Sequence, residues 1–291
     1  MYEQFFGLRE KPFALAPDPE FLFLGKHHRR ALTLLDYALS NATGFALVTG
    51  RVGCGKTTVI RSLLARAPQE FTVGLISNTH RGFDALLPWV ARAIGMKNIA
   101  SAPSELYETF LHHLMQEYAA GRRVVLIIDE AQNLGIDALE ELRVLSNVNT
   151  GKDVLLQTVL IGQPELRGTL AHPQLSQFAQ RISIEYHMDA LSREETRAYV
   201  RHRLTVAGAQ RELFSGEAVE LIHSRTTGVP RLVNQVCDTA LVYAFADQRP
   251  CVDVEIIAQV LDDRRAGGLL ALGESPPPPV RDMPATVGAE P

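Results

Sequence analysis

Eight residues, Gly50-Arg51-Val52-Gly53-Cys54-Gly55-Lys56-Thr57, carry the spacing G-x-x-x-x-G-K-T. An apolar run, Phe45 to Val48, precedes them, and a helix-like run, Thr57 to Ala67, follows. Strand, glycine loop and helix in that order make an anion cradle. The glycines let successive backbone N–H groups turn inward. The helix start adds unpaired N–H groups and the positive end of its dipole. Gly50, Gly53, Cys54 and Gly55 offer backbone, Lys56 a point charge for terminal phosphates, and Thr57 a hydroxyl for Mg2+, with Thr58 beside it. The chemistry is binding of a nucleoside triphosphate, ATP or GTP, with magnesium. A glycine turn before an ordinary helix would account for the glycines but not for Lys56 and Thr57 at those places.

A second centre lies at Val124-Val125-Leu126-Ile127-Ile128-Asp129-Glu130. Five successive apolar residues suit a central parallel strand buried on both faces. An acidic pair at its carboxyl end stands where open α/β sheets bind ligands. Asp129 is expected to hold magnesium, and Glu130 to orient and polarise an attacking water. Taken alone, the pair would also serve as a helix cap. The next apolar strand, Val154 to Ile161, ends in Gly162-Gln163, and Gln163 is expected to touch the terminal phosphate or the water. Capping the helix that Pro164 starts is its plainer role. Arg181, just before a last short strand at Ile182 to Tyr186, is a candidate to reach a nucleotide held by a neighbouring subunit. Arg231, at the start of a helix after Gly228-Val229-Pro230, is a candidate to reach back to the phosphates. Both arginines also fit surface positions, and residue chemistry alone does not separate the two roles.

These residues need a scaffold, and the pattern supplies an α/β one: a parallel sheet carrying the phosphate loop, then a small all-helical lid. Residues 1–25 are crowded with aromatics and prolines and read as an extended arm packed through its rings. Residues 26–190 form the nucleotide-binding domain and 191–264 the helical domain. Residues 265–291, with Pro276 to Pro279, form a disordered tail. A further strand is expected at Thr72 to Ser77, a helix from Arg81-Gly82-Phe83 through Ile94, and another over Leu106 to Tyr118. His27-His28-Arg29-Arg30 opens a helix to about Ser40. Neighbouring histidines on a helix do not face one site, so they read as a solvated helix start and not as metal ligands. Ser192-Arg193-Glu194-Glu195 has the spacing of a capping box.

Composition narrows the class. The 291 residues carry a net charge of −4, so bulk charge does not point to nucleic acid. Three cysteines without paired spacing argue against a disulfide framework or a zinc site. No apolar run approaches the roughly 20 residues that cross a bilayer. The expected location is the cytoplasm, with peripheral association at the inner membrane face compatible with it. Cys54 has two readings: a thiol activated by Lys56 and the loop N–H groups, or a small loop filler.

Together these residues resemble the additional-strand (ASCE) ATPases of the AAA+ class. More narrowly, Tyr2, Phe6-Gly7-Leu8, Lys11-Pro12-Phe13, Pro17-Asp18-Pro19 and Phe23-Leu24 look like the opening of ATPases of the general secretion pathway protein A type. Asp129-Glu130-Ala131-Gln132-Asn133-Leu134, Gly162-Gln163-Pro164-Glu165-Leu166, Gln180-Arg181-Ile182 and Gly228-Val229-Pro230-Arg231-Leu232-Val233-Asn234 extend the likeness over about residues 1–264. That set includes pilus-biogenesis and exosortase-associated relatives. The resemblance implies ATP hydrolysis, a homo-oligomeric ring, Arg181 as a finger acting in trans, and Arg231 as a second sensor. It also implies partners in an envelope secretion or exopolysaccharide export machine. The membrane helix and peptidoglycan-binding domain of many relatives are not in this sequence, which points to the shorter members. DNA-binding helper ATPases of transposition share much of the same core and are the alternative, and a nucleotide switch that barely hydrolyses is a third reading.

Overall fold

The structure, a computed structural model, describes residues 1–16, 18–66, 68, 70–77, 85–151 and 153–266. The expected helix start at Arg81-Gly82-Phe83 and the proline-rich tail from residue 267 lie outside the described residues. In chain order the helices are α1 Tyr2–Phe6, α2 Lys26–Ser40, α3 Lys56–Arg66, α4 Leu87–Ala93, α5 Pro103–Ala119, α6 Ile136–Leu145, α7 Glu165–Leu170, α8 Ser176–Ala179, α9 Arg193–Val206, α10 Gly216–Thr226, α11 Pro230–Ala246 and α12 Val254–Ala266. The strands are β1 Phe45–Gly50, β2 Phe71–Ile76, β3 Arg123–Ile128, β4 Leu156–Gly162 and β5 Ile182–Met188.

The five strands form one parallel sheet in the order β2-β3-β4-β1-β5. This is the additional-strand arrangement: β4 stands between the phosphate-loop strand β1 and the acidic strand β3. The alternation of side chains along each strand explains the unbroken apolar runs. Phe45, Leu47, Leu126, Ile128, Leu156 and Leu160 turn to one face, against Val90, Phe110, Leu114, Leu139 and Leu142. Ala46, Val48, Val125, Ile127, Val159 and Ile161 turn to the other, against Leu32 and Leu35 of α2 and Val59, Ile60 and Leu63 of α3. With both faces covered, the carboxyl ends of the strands are left for chemistry: Gly50 ends β1, and Asp129 and Gln163 follow β3 and β4.

A polar pin closes the opposite end of the sheet. Glu117, near the end of α5, receives Arg122 Nε at 2.8 Å and Arg122 Nη2 at 2.6 Å, and also the hydroxyl of Thr72 on β2. The Arg122 guanidinium holds this carboxyl well down, to about 2. A depressed carboxylate stabilises the fold above its unfolded value of 4.5 and loses that contribution as pH falls towards 2. Glu117→Gln is therefore expected to cost about 1–2 kcal/mol at neutral pH, Arg122 being partly solvated. The gap in melting temperature between variant and parent should close across that acid window; a gap independent of pH would contradict the assignment.

The chain divides into two compact units, one of residues 14–195 with 229–231, the other of residues 1–13, 196–228 and 232 onwards. The opening differs from the extended arm expected of it. Tyr2, Phe5 and Phe6 lie within the short helix α1, which Gly7 ends at φ +69°. Prolines begin only at Pro12, so nothing prevents a helical turn before it. Residues 1–13 belong to the helical unit. The Tyr2 hydroxyl donates to Asp238 Oδ1 at 2.5 Å, and Arg9 N to the Ala207 carbonyl at 2.8 Å. Buried Arg203 donates to the Pro12 carbonyl at 2.5 Å. Phe5 packs edge-on against Phe245, and Phe13 against Phe214. The capping box forms as its spacing predicts: Glu195 N donates to Ser192 Oγ at 3.2 Å and Ser192 N to Glu195 Oε2 at 3.0 Å.

Candidate nucleotide site

The phosphate loop runs off β1 into α3, and its glycines are set by what surrounds them. Gly53 has φ +81°, and a Cβ there would lie 2.8 Å from Arg231 Cβ. Gly55 has φ +93°, and a Cβ there would collide with the imidazole Nε2 of His28. Lys56, 6% exposed, donates from Nζ to the Gly50 carbonyl at 2.9 Å and the Arg51 carbonyl at 3.2 Å. Its charge is thereby held inside the loop. Thr57 and Thr58 occupy the first turn of α3.

Asp129 directly follows β3 and is 7% exposed. Its Oδ2 accepts from Thr57 Oγ1 at 3.5 Å and its Oδ1 from Glu130 N at 2.9 Å. Loss of solvation raises its pKa, with the neighbouring Glu130 charge acting the same way and Lys56 and Thr57 opposing it. Glu130 has the left-handed backbone, φ +52° and ψ +37°, which a β-carbon makes costly and which clusters at functional sites. Its Oε2 accepts from Gln132 Nε2 at 2.5 Å and from Gln163 Nε2 at 3.3 Å. The Gln163 backbone N–H donates to Gln132 Oε1 at 2.9 Å.

The residues present fit a triphosphate and a magnesium ion. Two glycine positions leave room that a side chain would fill. A buried carboxylate, disfavoured by desolvation, stands beside a threonine hydroxyl, and a divalent cation there would relieve it. Lys56 and the loop backbone would hold the phosphates, and Thr57 and Asp129 the metal.

The structure thus brings Gly50 to Thr57, Asp129, Glu130 and Gln163 to one end of the sheet. It adds the first turn of α11: Arg231 N donates to the Gly53 carbonyl at 3.4 Å. It does not bring Arg181 there. Arg181 precedes β5, whose Ile182 is in register with Phe45, the first residue of β1. The loop leaves the far end of β1, about 17 Å away at 3.3 Å per residue. Arg181 Nη1 instead lies 3.4 Å from the Arg143 carbonyl and 3.5 Å from Ser146 Oγ, at the end of α6.

His28 is not part of a solvated helix start: it is 4% exposed. Its ring fills the space behind Gly55, while burial lowers its pKa and keeps it neutral. The second of two adjacent histidines falls on the inner face of α2 with Ala31, Leu32 and Leu35, a periodicity visible in the sequence. His27 is half-buried and stacked on Tyr186, whose hydroxyl lies 2.7 Å from its Nδ1. Cys54 is the loop filler: it is 1% exposed, and burial raises its thiol pKa against the pull of Lys56 and Arg51. Glu195 also does more than cap α9, since its Oε1 accepts from Lys26 N at 2.5 Å and so fixes the start of α2.

Residues 40–170 match the protein family described as AAA domain. The chain is 44% identical over 247 residues to general secretion pathway protein A of Aeromonas hydrophila, a match covering 84% of this chain and 45% of that protein. It therefore spans less than half the length of that relative. Among solved structures, Cdc6p of Pyrobaculum aerophilum superposes with a TM-score of 0.69 at 19% identity, covering 87% of this chain and 70% of that one. The ORC2 protein of Aeropyrum pernix, in its ADPNP–ADP complexes, gives 0.64 at 17% identity over 87% and 71%. These two likenesses bear on fold. No helix among the described residues is long and apolar enough to cross a membrane. With the loop, the acidic strand end and the inserted β4 all in place, the α/β unit has the fold of a P-loop NTPase domain, matched over residues 40–170 by the AAA domain family, in a chain similar to general secretion pathway protein A.

Proposed function

We propose that this protein is an ATPase that drives or regulates assembly of an envelope secretion or exopolysaccharide export system. The observation that carries the enzymatic part is the meeting of Thr57 and Asp129 at 3.5 Å, with Glu130 next in the chain and Lys56 buried beside them. Lys56 exchanges its loop carbonyls for phosphate oxygens. Glu130 orients a water and accepts its proton as the water oxygen attacks the γ-phosphorus, the bond to the bridging oxygen breaks, and ADP and phosphate leave. Magnesium, when bound, neutralises charge on the phosphate oxygens. Gln163 reads the terminal phosphate, and Arg231 does so from the start of α11. Arg181 would complete the site of a second copy, in a ring.

The pathway rests on the likeness to the secretion protein of Aeromonas, on the part the two share, and on a net charge of −4, which gives no bulk attraction to nucleic acid. The test is DNA binding with and without ATP across a salt series. Weak binding, unaffected by ATP, is the expected result. Tight, ATP-dependent binding that falls steeply with salt would replace the secretion reading by that of a DNA-transposition helper.

A further inference from the structure

Gln132 takes no part in the reaction proposed for Lys56, Asp129 and Glu130. Its side chain is nevertheless the hub of the acidic strand end. It sits on the short turn Ala131–Asn133 that follows Glu130. Its amide uses both ends on groups from different strands: Nε2 donates to Glu130 Oε2 at 2.5 Å, and Oε1 accepts from Gln163 N at 2.9 Å. Gln163 Nε2 then approaches the same Glu130 oxygen at 3.3 Å. Gln132 and Leu166 together occupy the space beside the end of β4: a Cβ on Gly162 would lie 2.8 Å from Leu166 Cδ2, 2.9 Å from Gln132 Oε1 and 3.3 Å from Gln132 N.

We infer that Gln132 is a positioning residue that ties the Glu130 carboxylate and Gln163 into one unit, so that the group that orients the water and the group that reads the phosphate move together. The inference rests on the ATPase reading given above. An amide suits this task because one planar group both donates and accepts. A carboxylate held by two amide donors has one orientation, and a misplaced general base loses rate without losing substrate affinity. Gln132 touches neither substrate nor metal by this account and acts through Glu130 and Gln163.

The test compares Gln132→Met, similar in length but without amide donors, and Gln132→Glu, which keeps the acceptor for Gln163 N and puts a like charge beside Glu130. Nucleotide affinity, melting temperature and steady-state phosphate release are measured for each. Gln132→Met should lower kcat about 10-fold or more while ATP affinity stays within about 2-fold. Gln132→Glu, which loses the donor to Glu130 and puts a like charge beside it, should lower kcat at least as far. Made in a Glu130→Gln background, Gln132→Met should have little further effect, since both act through one group. An unchanged kcat in a folded, ATP-binding Gln132→Met protein would overturn the inference, as would full additivity with Glu130→Gln. A parent that binds ATP but releases no phosphate would instead overturn the ATPase reading, so the two failures are distinguishable.

Discussion

Gly55→Ala is expected to reduce ATP affinity at least about 100-fold and to destabilise the protein by about 2–3 kcal/mol. Two separate costs act at that position. The backbone is at φ +93°, a region that side-chain-bearing residues avoid, and the new methyl would run into His28 Nε2. His28 cannot easily yield, because it is buried on the inner face of α2 against the loop. The double variant Gly55→Ala/His28→Ala removes the collision but not the backbone strain. It should regain part of the lost melting temperature and little of the lost affinity. Nucleotide titration and thermal melts on the same samples check both statements. An affinity within about 2-fold of the parent in Gly55→Ala would mean that phosphates are not bound by this loop.

The second large effect concerns Arg181. By the sheet register it lies beyond the amino end of β1, while the phosphate loop leaves the carboxyl end. A side chain cannot cover that strand length, so any catalytic part played by Arg181 requires a second copy of the chain. Arg181→Ala should lower turnover about 1,000-fold, the lower range for removal of a charge that stabilises a transferring phosphoryl group. Glu130→Gln should turn over at least about 100-fold more slowly for a different reason. Mixing the two impaired variants should restore part of the turnover, because an interface that pairs Arg181 of one with Glu130 of the other is intact. Random pairing of equal populations makes about a quarter of interfaces complete. No recovery on mixing, with both variants still assembling, would remove Arg181 from the shared site.

How much of this was legible in the sequence depends on whether a residue's task is local. The phosphate loop and the acidic strand end were legible because each is written in one stretch and because a strand buried on both faces needs an unbroken apolar run. The order of the strands was not written locally; it entered through the resemblance, and the sheet shows β4 inserted between β1 and β3. The opening departs from an extended arm because the prolines that break helices begin at Pro12, after Tyr2–Phe6. His28 departs from a solvated helix start for a related reason. Adjacent histidines invite a joint reading, yet successive helix positions are about 100° apart, and only His28 shares the inner face with Ala31, Leu32 and Leu35. Gln132 gave no signal of its own, since an amide in a turn after an acidic pair is ordinary until its partners from β4 are known.

The proposed reaction needs Glu130 to activate water at a magnesium–ATP site built by the loop and Asp129. ATP binding and single-turnover phosphate release, measured side by side for the parent and Glu130→Gln, separate that role from binding. The variant should bind ATP with Mg2+ about as tightly as the parent and release phosphate at least about 100-fold more slowly, the size of effect that a positioned general base supplies. Phosphate release at the parent's rate by a variant that binds ATP normally would contradict that role.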